Sequence, residues 1–537
     1  TAESRSTLKT GAWRNMRPIK VESRSPCTEA CPAAVPIPRY LHEMAAGDPA
    51  AAYATFTLRN PFPRITGRVC PHPCEDACNR GDAPLAIRAL ERYLGDEART
   101  LADPVAERET GRRVAVIGSG PAGLAAAYYL RRSGHAVTVF ERRAKAGGML
   151  RYGIPEYRLP SAVVDDEVER LAGMGVEFRT GTTLGRDLEL EDLEGSFDAV
   201  FAAIGAGVGG TMGIEGESLL EPGLAFLEQL AEGFADLPGE RCAVIGGGNT
   251  AMDVARALRR LGARVTVLYR RTEMEMPAIA EEFAAALADG VGFRFLTQPR
   301  SVAKVPGGLS VSVETMRPGE PDPSGRRRPE PTGEMASLVF DAVFTAVGER
   351  AEVEALPPQL RGDDGWLEVG PHGETPNERI FVGGDLATGP ATVVDAIAWG
   401  RRATDAINAR IGGGYALPLW MLEERVEVIG PDAVNRATFA PLPRLEAPEL
   451  SPAERLAAGF TEETATIVAA QVLAEIERCF SCGYCNSCGT CFVFCPDAAI
   501  GWDDGPVFDF DYCKGCGVCT SECPGHVLLF VKEAVHG

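Results

Sequence analysis

Ten cysteines near the C-terminal end of the sequence have a spacing that can hold iron–sulfur clusters. Within this run the pattern CxxCxxCxxxCP occurs twice, and in two-cluster ferredoxins the cysteine before the proline ligates the other cube. The pattern predicts two [4Fe-4S] clusters, one on Cys485, Cys488, Cys491 and Cys523 and the other on Cys495, Cys513, Cys516 and Cys519. Cys479 and Cys482 are left over, either as free thiols or as ligands in a register shifted by three residues.

Zinc sites or disulfide bonds would account poorly for these cysteines. A structural zinc site needs only four ligands, and a disulfide scaffold is typical of short secreted chains. The net charge is −21, and bound clusters would make it more negative. We therefore expect neither nucleic acid nor an anionic membrane as a partner. A redox protein with a basic face fits better, although acidity that only keeps the protein soluble explains the charge equally well.

Length and composition predict a large cytoplasmic protein. At 537 residues the chain exceeds one hydrophobic core, so we expect three or four domains. The first residues lack the apolar core of a signal peptide, and no apolar run is long enough for membrane insertion. Sixteen cysteines arranged for metal also indicate a reducing compartment, because iron binds the reduced thiolates.

A complete dinucleotide-binding pattern begins at residue 112. A predicted strand leads into Gly118-Ser-Gly-Pro-Ala-Gly123, a helix follows from Leu124, and a second strand ends on Glu141. In this motif the first glycine makes the tight turn, the second admits the pyrophosphate, and the third allows close helix packing. The helix N-terminus favours phosphate, and the acid accepts hydrogen bonds from a ribose hydroxyl.

The pattern recurs with Gly246, Gly248 and Ala251 in the three turn positions. Its second strand ends on Arg270 and Arg271 instead of an acid. Arginines at this place accommodate the 2′-phosphate of NADP. Glu273 follows two residues later and would repel that phosphate, so the coenzyme stays open, with NADH slightly favoured.

A third stretch of sequence predicts a flavin-binding site and indicates that another domain is inserted into the flavin-binding domain. Gly384 and Asp385 follow a predicted strand, Ile380–Val382, and Thr392 precedes another helix. An aspartate beside two glycines suits the ribityl chain, and a helix N-terminus suits the flavin oxygens. Chain order therefore predicts an α/β fold with two Rossmann-like nucleotide-binding domains, one inserted in the other.

The predicted domains follow from these motifs. The chain would comprise a small N-terminal helical Fe–S domain (1–111), an FAD-binding domain (112–238 and 372–412), an NAD(P)-binding domain (239–371), a linker and helix (413–477) and a bacterial-ferredoxin-like α+β domain (478–537). The stretch EETATIVAAQVLAEIER has a helical pattern. The alternative for 413–477 is a packed extension of the flavin domain.

Five further cysteines precede the first motif, at Cys27, Cys31, Cys70, Cys74 and Cys78. Their CxxxC spacings are metal-like, and neighbouring prolines place them in loops. The chain then shows, in order, GRVCPHPCEDAC, IGSGPAGLAAA, GGMLRYGIPEYRLP, VIGGGNTAMD, YRRTEMEMPA and VGGD. This series resembles the small-subunit family of glutamate synthase, over roughly residues 20 to 412.

The resemblance implies FAD near the first and third motifs and NAD(P)H at the second. Motifs and resemblance together predict the cofactor contacts Gly118, Gly120, Pro121, Ala122, Gly123, Glu141, Arg142, Gly148, Arg151, Gly246, Gly248, Asn249, Thr250, Ala251, Arg270, Arg271, Gly348, Gly384, Asp385 and Thr392.

The resemblance also implies N-terminal [4Fe-4S] clusters, but this chain departs from the family there. Members usually carry two cysteines upstream of the position of Cys27, and the stretch IKVESRS holds none. We therefore expect one N-terminal cluster, with the ligands implied by the family at Cys31, Cys70, Cys74 and Glu91. Cys27 and Cys78 would be remnants, unless one of them replaces the glutamate.

The predicted function is an NAD(P)H:acceptor oxidoreductase that moves electrons between nicotinamide, FAD and clusters. Cofactors carry this chemistry, so no catalytic acid–base residue is predicted. The partner would be an Fe–S enzyme or a ferredoxin, and a homodimer is expected. Members with a ferredoxin tail are similar to the iron–sulfur flavoproteins that accompany dissimilatory sulfite reductase in sulfur oxidation, which implies that enzyme as partner.

Three rival functions are weaker. A subunit that feeds a glutamine-dependent synthase would not need the ferredoxin tail. A non-catalytic electron carrier would not need to keep Gly120 and Gly248 free of side chains. A pyrimidine dehydrogenase would need a further barrel domain, for which no residues remain.

Overall fold

A computed structural model describes residues 9–101, 103–104, 106, 108–234, 236–353, 356–361, 367–422, 427–503 and 505–533. The N-terminal part is mainly helical. Four of its short helices begin on a proline, whose fixed φ and missing N–H suit the first helical position. Its elements are β1 (Met16–Lys20), α1 (Pro26–Ala30), α2 (Ile37–Ala45), α3 (Pro49–Thr57), α4 (Pro63–Val69), α5 (Pro73–Asp76) and α6 (Ile87–Glu97).

The next part begins a parallel sheet. The predicted first strand and second strand are present, and the helix between them begins at Pro121, three residues earlier than predicted, since proline is favoured at that position. The elements are β2 (Arg113–Ile117), α7 (Pro121–Arg132), β3 (Ala136–Glu141), α8 (Met149–Tyr152), α9 (Ser161–Gly173), β4 (Glu177–Thr180), α10 (Leu190–Ser196), β5 (Ala199–Ala202), β6 (Val208–Gly209), β7 (Glu221–Pro222) and α11 (Gly223–Ala231).

A second parallel sheet follows, with strand order β10-β9-β8-β14-β7, and a three-stranded antiparallel sheet branches from it. Apolar side chains of its central strands are buried on both faces, under helices on one face and under the antiparallel sheet on the other. Its remaining elements are β8 (Arg241–Ile245), α12 (Asn249–Arg260), β9 (Arg264–Leu268), α13 (Ala280–Ala288), β10 (Gly292–Arg294), β11 (Thr297–Val305), β12 (Gly308–Pro321), β13 (Arg327–Phe340) and β14 (Ala342–Thr345).

The chain then returns to the first sheet. The returning elements are β15 (Glu349–Arg350), β16 (Ile380–Val382), α14 (Asp385–Thr388) and α15 (Val393–Ile411). Strand β16 pairs in parallel with β5, which completes the order β16-β5-β2-β3-β4. The first sheet is thus built from both sides of the second, and the predicted α/β class with one Rossmann-like unit inserted in the other is confirmed. The exact domain boundaries stay a prediction.

The C-terminal part contains α16 (Leu419–Leu422), α17 (Pro452–Ala457), α18 (Ala469–Ile476), α19 (Thr490–Val493), β17 (Ile500–Asp503), β18 (Gly505–Phe508), α20 (Val518–Ser521) and β19 (Leu528–Lys532). Helix α18 is shorter than the predicted helical stretch, because Thr464 instead forms a bridge with Glu449. Strand β19 pairs antiparallel with β1, so the two terminal parts of the chain meet. None of the described helices has the length and apolarity needed to cross a membrane.

Candidate functional site

One cleft of about 990 Å³ lies where the loops of the two parallel sheets face each other. Its volume is at the upper end of the usual range for ligand sites. All but three of the predicted cofactor contacts line it. These are Gly118, Gly120, Pro121, Ala122, Glu141, Arg142, Gly148, Gly246, Gly248, Asn249, Thr250, Arg270, Arg271, Gly348, Gly384, Asp385 and Thr392.

Gly120 and Gly248 directly precede helices α7 and α12, and their backbones are ordinary. Their φ angles are −67° and −92°, which any residue adopts. A Cβ built at either position would meet no heavy atom within 4 Å. Neither strain nor packing within the protein requires glycine here, but a ligand lying against the backbone would. The two positions therefore fit dinucleotide pyrophosphates, which helix N-termini also favour.

Gly123 and Ala251 do not line the cleft; they support it from behind. A Cβ at Gly123 would lie 1.9 Å from the carbonyl oxygen of Gly118, so only glycine lets the helix approach the loop. Ala251 is fully buried at the equivalent position of the second motif. Both residues permit the helix–strand packing that the motif predicts.

Arg151 is absent from the described lining of the cleft. Its guanidinium is buried, donates from Nε to the carbonyl oxygen of Ala146 at 2.9 Å, and pairs with Asp165. These contacts hold the loop before α8, and Arg151 as a cofactor contact stays a prediction. Sequence order alone could not show which way the side chain turns.

Glu141 lies at the end of β3, where a ribose acceptor was predicted. Its buried carboxylate accepts hydrogen bonds from the backbone N–H of Ser119 at 3.0 Å and of Arg143 at 2.8 Å. These bonds hold the carboxylate beside the first glycine-rich loop. The position fits a ribose hydroxyl of the nucleotide bound there.

Asp385 lies at the start of α14, which follows β16 of the same sheet. Burial raises the pKa of its carboxyl to about 6, although the Ala391 N–H donates to it at 3.2 Å. Thr392 caps helix α15, and its hydroxyl oxygen accepts from the Asp395 N–H at 3.3 Å. A carboxyl and a helix N-terminus thus face the same space, which fits the hydroxyls and ring oxygens of a flavin.

Three arginines surround the predicted nicotinamide end of the cleft. Arg271 donates to Asp322 at 2.9 Å and is thereby held at the wall. Partial burial lowers the pKa of Arg270, and the nearby charges of Arg271 and Arg326 lower it further. Glu273, the residue expected to repel a 2′-phosphate, is absent from the described lining of this cleft. The electrostatic environment at this end is therefore positive.

Sequence reasoning missed Arg326, Arg158 and Asp253 as lining residues. Arg326 arrives from the β12–β13 hairpin, and its only sequence signal is the run Arg326-Arg-Arg. Arg158 donates to both carboxylate oxygens of Asp253, at 2.9 and 2.8 Å. Burial raises the pKa of Asp253 to about 6, although Arg158 opposes this shift. This ion pair joins the two nucleotide-binding units across the cleft.

The C-terminal cysteines surround two small cavities of about 20 Å³ each. The grouping is the predicted one, with Cys495, Cys513, Cys516 and Cys519 at one cavity and Cys485, Cys488, Cys491 and Cys523 at the other. Backbone N–H groups donate to Cys495 Sγ at 3.3 Å and to Cys523 Sγ at 3.4 Å. Soft sulfur ligands of this kind fit [4Fe-4S] clusters. Hydrogen bonds from N–H groups to the sulfur atoms tune the reduction potentials of such clusters.

The predicted N-terminal ligands also lie together. Burial raises the pKa of Cys31 to about 11, and the charge of Glu91 contributes to the rise. Burial raises the pKa of Glu91 to about 8, and the hydroxyl of Thr66 donates to its carboxylate. Burial likewise raises the pKa values of Cys70 and Cys74, with Glu91 again contributing. Three thiols and one carboxyl in a shared buried site fit a cluster.

This N-terminal site adjoins the cofactor cleft. Val69 and Pro71, the two neighbours of Cys70, both line the cleft. A cluster on Cys70 would therefore lie immediately behind the cleft wall. A cluster held there would supply a one-electron acceptor next to the predicted flavin contacts.

Comparison with known protein families gives three matches. Residues 112–400 match the pyridine nucleotide-disulphide oxidoreductase family. Residues 14–102 match dihydropyrimidine dehydrogenase domain II, 4Fe-4S cluster, and residues 506–528 match the 4Fe-4S binding domain. The first match spans more than half of the chain.

Curated relatives cover most of the chain. The beta subunit of NADP(+)-dependent formate dehydrogenase from Moorella thermoacetica is 37% identical over 508 residues, covering 85% of this chain and 70% of that protein. The beta subunit of NADPH-Fe(3+) oxidoreductase from Geobacter sulfurreducens is 34% identical, covering 85% and 75%. The small chain of glutamate synthase [NADPH] from Escherichia coli is 37% identical, covering 71% and 87%.

These findings confirm the predicted resemblance to the glutamate synthase small-subunit family. They also confirm the predicted class of enzyme, an NAD(P)H-dependent flavin oxidoreductase with [4Fe-4S] clusters. The three relatives do not test sulfite reductase as partner, which stays a prediction. The chain belongs to the pyridine nucleotide-disulphide oxidoreductase family.

Proposed function

We propose that the protein carries electrons between NADPH and a redox protein partner, by way of FAD and its iron–sulfur clusters. The observation that supports this most strongly is the shared cleft lined by Gly120, Gly248 and the neighbours of Cys70. Bound there, FAD would exchange an electron pair with the nicotinamide and single electrons with the clusters. The path can run in either direction.

The residues of the cleft bind and orient the two nucleotides. The N-termini of α7 and α12 face the cleft from opposite sheets, so two pyrophosphates can bind at once. The pair Arg158–Asp253 ties α12 to the segment between α8 and α9 of the first unit. Binding and orientation are the main tasks of the protein in such a reaction, because the cofactors supply the chemistry.

NADPH is proposed over NADH, against the slight preference drawn from the sequence. Arg270 and Arg326 line the cleft, whereas Glu273 does not. A 2′-phosphate would therefore meet two cations. Three relatives also carry NADP or NADPH in their names.

The partner is proposed to dock at the ferredoxin-like part. The two beta-subunit relatives match 85% of the chain, and the glutamate synthase small chain matches 71%. Direct supply of electrons to a glutamine-dependent synthase stays an alternative, but it would leave the C-terminal cluster sites without a task. Sulfite reductase as the partner, a homodimer and a cytoplasmic location stay predictions.

The test of this function is anaerobic reduction of the flavin- and cluster-loaded protein. NADPH should bleach the flavin much faster than NADH at equal concentration. Arg270→Ala should raise the KM for NADPH about 10- to 100-fold, since a hydrogen bond between charged groups contributes about 1.5–3 kcal/mol. The KM for NADH should hardly change.

The matched control is Arg264→Ala. Arg264 begins strand β9, whose other end leads to Arg270; it is exposed and, among the ion pairs described, contacts only another exposed side chain. The Arg264→Ala variant should keep the wild-type preference for NADPH over NADH. Equal KM values for NADPH in the wild type and Arg270→Ala would contradict the proposed 2′-phosphate site.

A further inference from the structure

Four cysteines that the predicted clusters do not use come together in the structure. Cys27 and Cys78 belong to the N-terminal part, and Cys479 and Cys482 come from the opposite end of the chain. All four line one small cavity. Its volume, about 20 Å³, equals that of each of the two ferredoxin-type cavities.

The cavity is part of a tightly held structure. The side chain of Asn79 donates to Cys482 Sγ at 3.3 Å and to the carbonyl oxygen of Ile429 at 2.9 Å. The Ser481 N–H donates to Cys479 Sγ at 3.4 Å, which is the type of bond found at Cys495 and Cys523. Cys479 therefore accepts a backbone N–H···S bond like those at the two ferredoxin-type sites, and Cys482 accepts one from a side-chain amide.

A buried network joins the two segments that supply the thiols. Arg478 is 1% exposed and donates to the carbonyl oxygens of Ala83 at 2.6 Å and Pro84 at 3.3 Å. Glu475 accepts from the Ala86 N–H at 2.8 Å. Because these bonds are buried, Cys479 and Cys482 are held against the loop that carries Cys78.

We propose that Cys27, Cys78, Cys479 and Cys482 ligate a further [4Fe-4S] cluster, shared between the two ends of the chain. The CxxC pair from the C-terminal side takes the place of the upstream cysteines that this chain lacks. The count is then four clusters instead of the three expected from sequence. Cys242 is the one cysteine of the sequence left without a cluster.

A cube explains the site better than a single zinc ion does. Thiolates around one zinc lie roughly 3.8 Å apart, since each Zn–S bond is about 2.3 Å in a tetrahedron. Within the described parts of the chain, no three cysteine, histidine or acidic side chains are arranged to share one metal ion. A cube separates its thiolates more widely and leaves a central space, as at the two ferredoxin-type sites.

The position of this site would connect the other clusters. Cys27 lies on α1 and Cys31 directly follows this helix, while Cys74 lies on α5 and Cys78 lies two residues beyond its end; α5 packs on α1. The new site and the first N-terminal site are therefore both built around these two short helices. On the other side, Cys482 lies three residues before Cys485, a separation of at most about 11 Å.

The four sites thus form a series that begins at the cofactor cleft. The first N-terminal site adjoins the cleft through Val69 and Pro71, and the shared site lies between it and the ferredoxin-type sites. Without the shared cluster, the series would be interrupted between the N-terminal part and the ferredoxin-like part. The use of this series in NADPH oxidation rests on the proposed function, but the existence of the cluster does not.

The test counts clusters in the full-length protein after anaerobic reconstitution. Four cubes predict about 16 iron and 16 sulfide ions per chain, and three predict about 12. Spin integration of the dithionite-reduced protein by EPR should agree with the higher number. Because dithionite replaces the nucleotide, this count does not depend on the proposed function.

Variants assign the extra cluster to its ligands. Cys479→Ala/Cys482→Ala should lose about four iron ions, as should Cys27→Ala, while the ferredoxin-type EPR signals and the bound flavin remain. Cys242→Ala is the matched control and should keep all the iron. With NADPH, the double variant should bleach its flavin at the wild-type rate, but its ferredoxin-type clusters should be reduced at least tenfold more slowly.

Several outcomes would overturn the proposal. About 12 iron ions in the wild type would do so without any variant. Zinc at about one ion per chain that disappears in Cys479→Ala/Cys482→Ala would also do so, as would full iron content in that variant. If the double variant misfolds and loses flavin, the wild-type count and Cys27→Ala still decide the question.

Discussion

At the scale of single residues, the clearest functional signal is a glycine that the protein itself does not need. Gly120 and Gly248 have ordinary backbones and open space where a Cβ would be. The sequence predicted both, because the strand–loop–helix pattern is local. Arg151 shows the limit of such reasoning, since the direction of its side chain depends on Asp165 and Ala146.

We predict that alanine at the two glycines separates the two nucleotide sites. Gly120→Ala should reduce flavin content at least tenfold, because the methyl group occupies the space of the pyrophosphate. Gly248→Ala should keep its flavin and raise the KM for NADPH by a similar factor. Bound flavin and NADPH kinetics check both expectations.

Gly195→Ala is the control for this pair. Gly195 lies on α10 and also has no heavy atom near its Cβ position, but it does not line the cleft. The change should leave both sites intact and stabilise the helix slightly, by about 0.5–1 kcal/mol. Normal flavin content in Gly120→Ala would show that the first loop does not bind the flavin nucleotide.

A second residue-scale prediction concerns Asp385. Burial raises its carboxyl pKa from 3.8 to about 6, so the folded flavin-free protein holds a proton that the unfolded chain releases. The ionisation of Asp385 therefore lowers the free energy of unfolding as the pH rises from about 4 to 6. Above about pH 6 this loss of stability stays constant. Asp385→Asn should stabilise the flavin-free protein at pH 7 by up to about 3 kcal/mol, at 1.36 kcal/mol per pKa unit.

The same substitution should weaken flavin binding, because the carboxylate faces the predicted ribityl position. Urea unfolding of the flavin-free wild type and Asp385→Asn at pH 4 and pH 7 measures the difference. The free energies of unfolding of the two proteins should differ little at pH 4. An equal difference at both pH values would contradict the pKa shift.

At the scale of elements, the segment between the nucleotide-binding units and the ferredoxin-like part is firmly packed. Arg256 and Arg260, both fully buried on α12, donate to Glu463 at 2.6 and 2.8 Å. Glu462 on the same segment pairs with Arg68 at 2.8 Å. A packed extension was one of two alternatives for this segment, but the sequence could not identify the partners, because they lie some 200 to 400 residues apart.

We predict that Glu463→Ala destabilises the protein by about 2–3 kcal/mol, because it removes the acceptor of one buried N–H group on each of Arg256 and Arg260, although both keep Asp289 as a partner. The midpoint of urea unfolding, followed by circular dichroism, should fall. Glu446→Ala, an exposed glutamate on the same segment, should leave the midpoint unchanged. Equal midpoints for both variants would mean that the ion-pair cluster contributes nothing to stability.

The elements that sequence predicted best are those defined by local patterns. Strand β16 was predicted with its exact bounds, and the two glycine-rich loops were found with their helices. Non-local features were missed. Arg326 reaches the cleft through a hairpin, and the four-cysteine cavity combines residues about 450 positions apart. No spacing rule in one segment can reveal a site whose halves lie at opposite ends of the chain.

At the scale of the whole molecule, the two ends of the chain are brought together twice. Strand β1 pairs with β19, and Cys27 and Cys78 share a cavity with Cys479 and Cys482. The ferredoxin-like part is thereby fixed to the part that adjoins the cofactor cleft. We infer that this arrangement keeps the cluster sites in a constant series from the cleft to the docking partner.

The most direct test of this account is rapid mixing of the loaded protein with NADPH, followed by freeze-quenching and EPR. The account predicts that flavin bleaching comes first and that the signals of reduced clusters follow, with none in flavin-free protein. Cluster reduction by NADPH in flavin-free protein, or no cluster reduction after the flavin has been bleached, would contradict it.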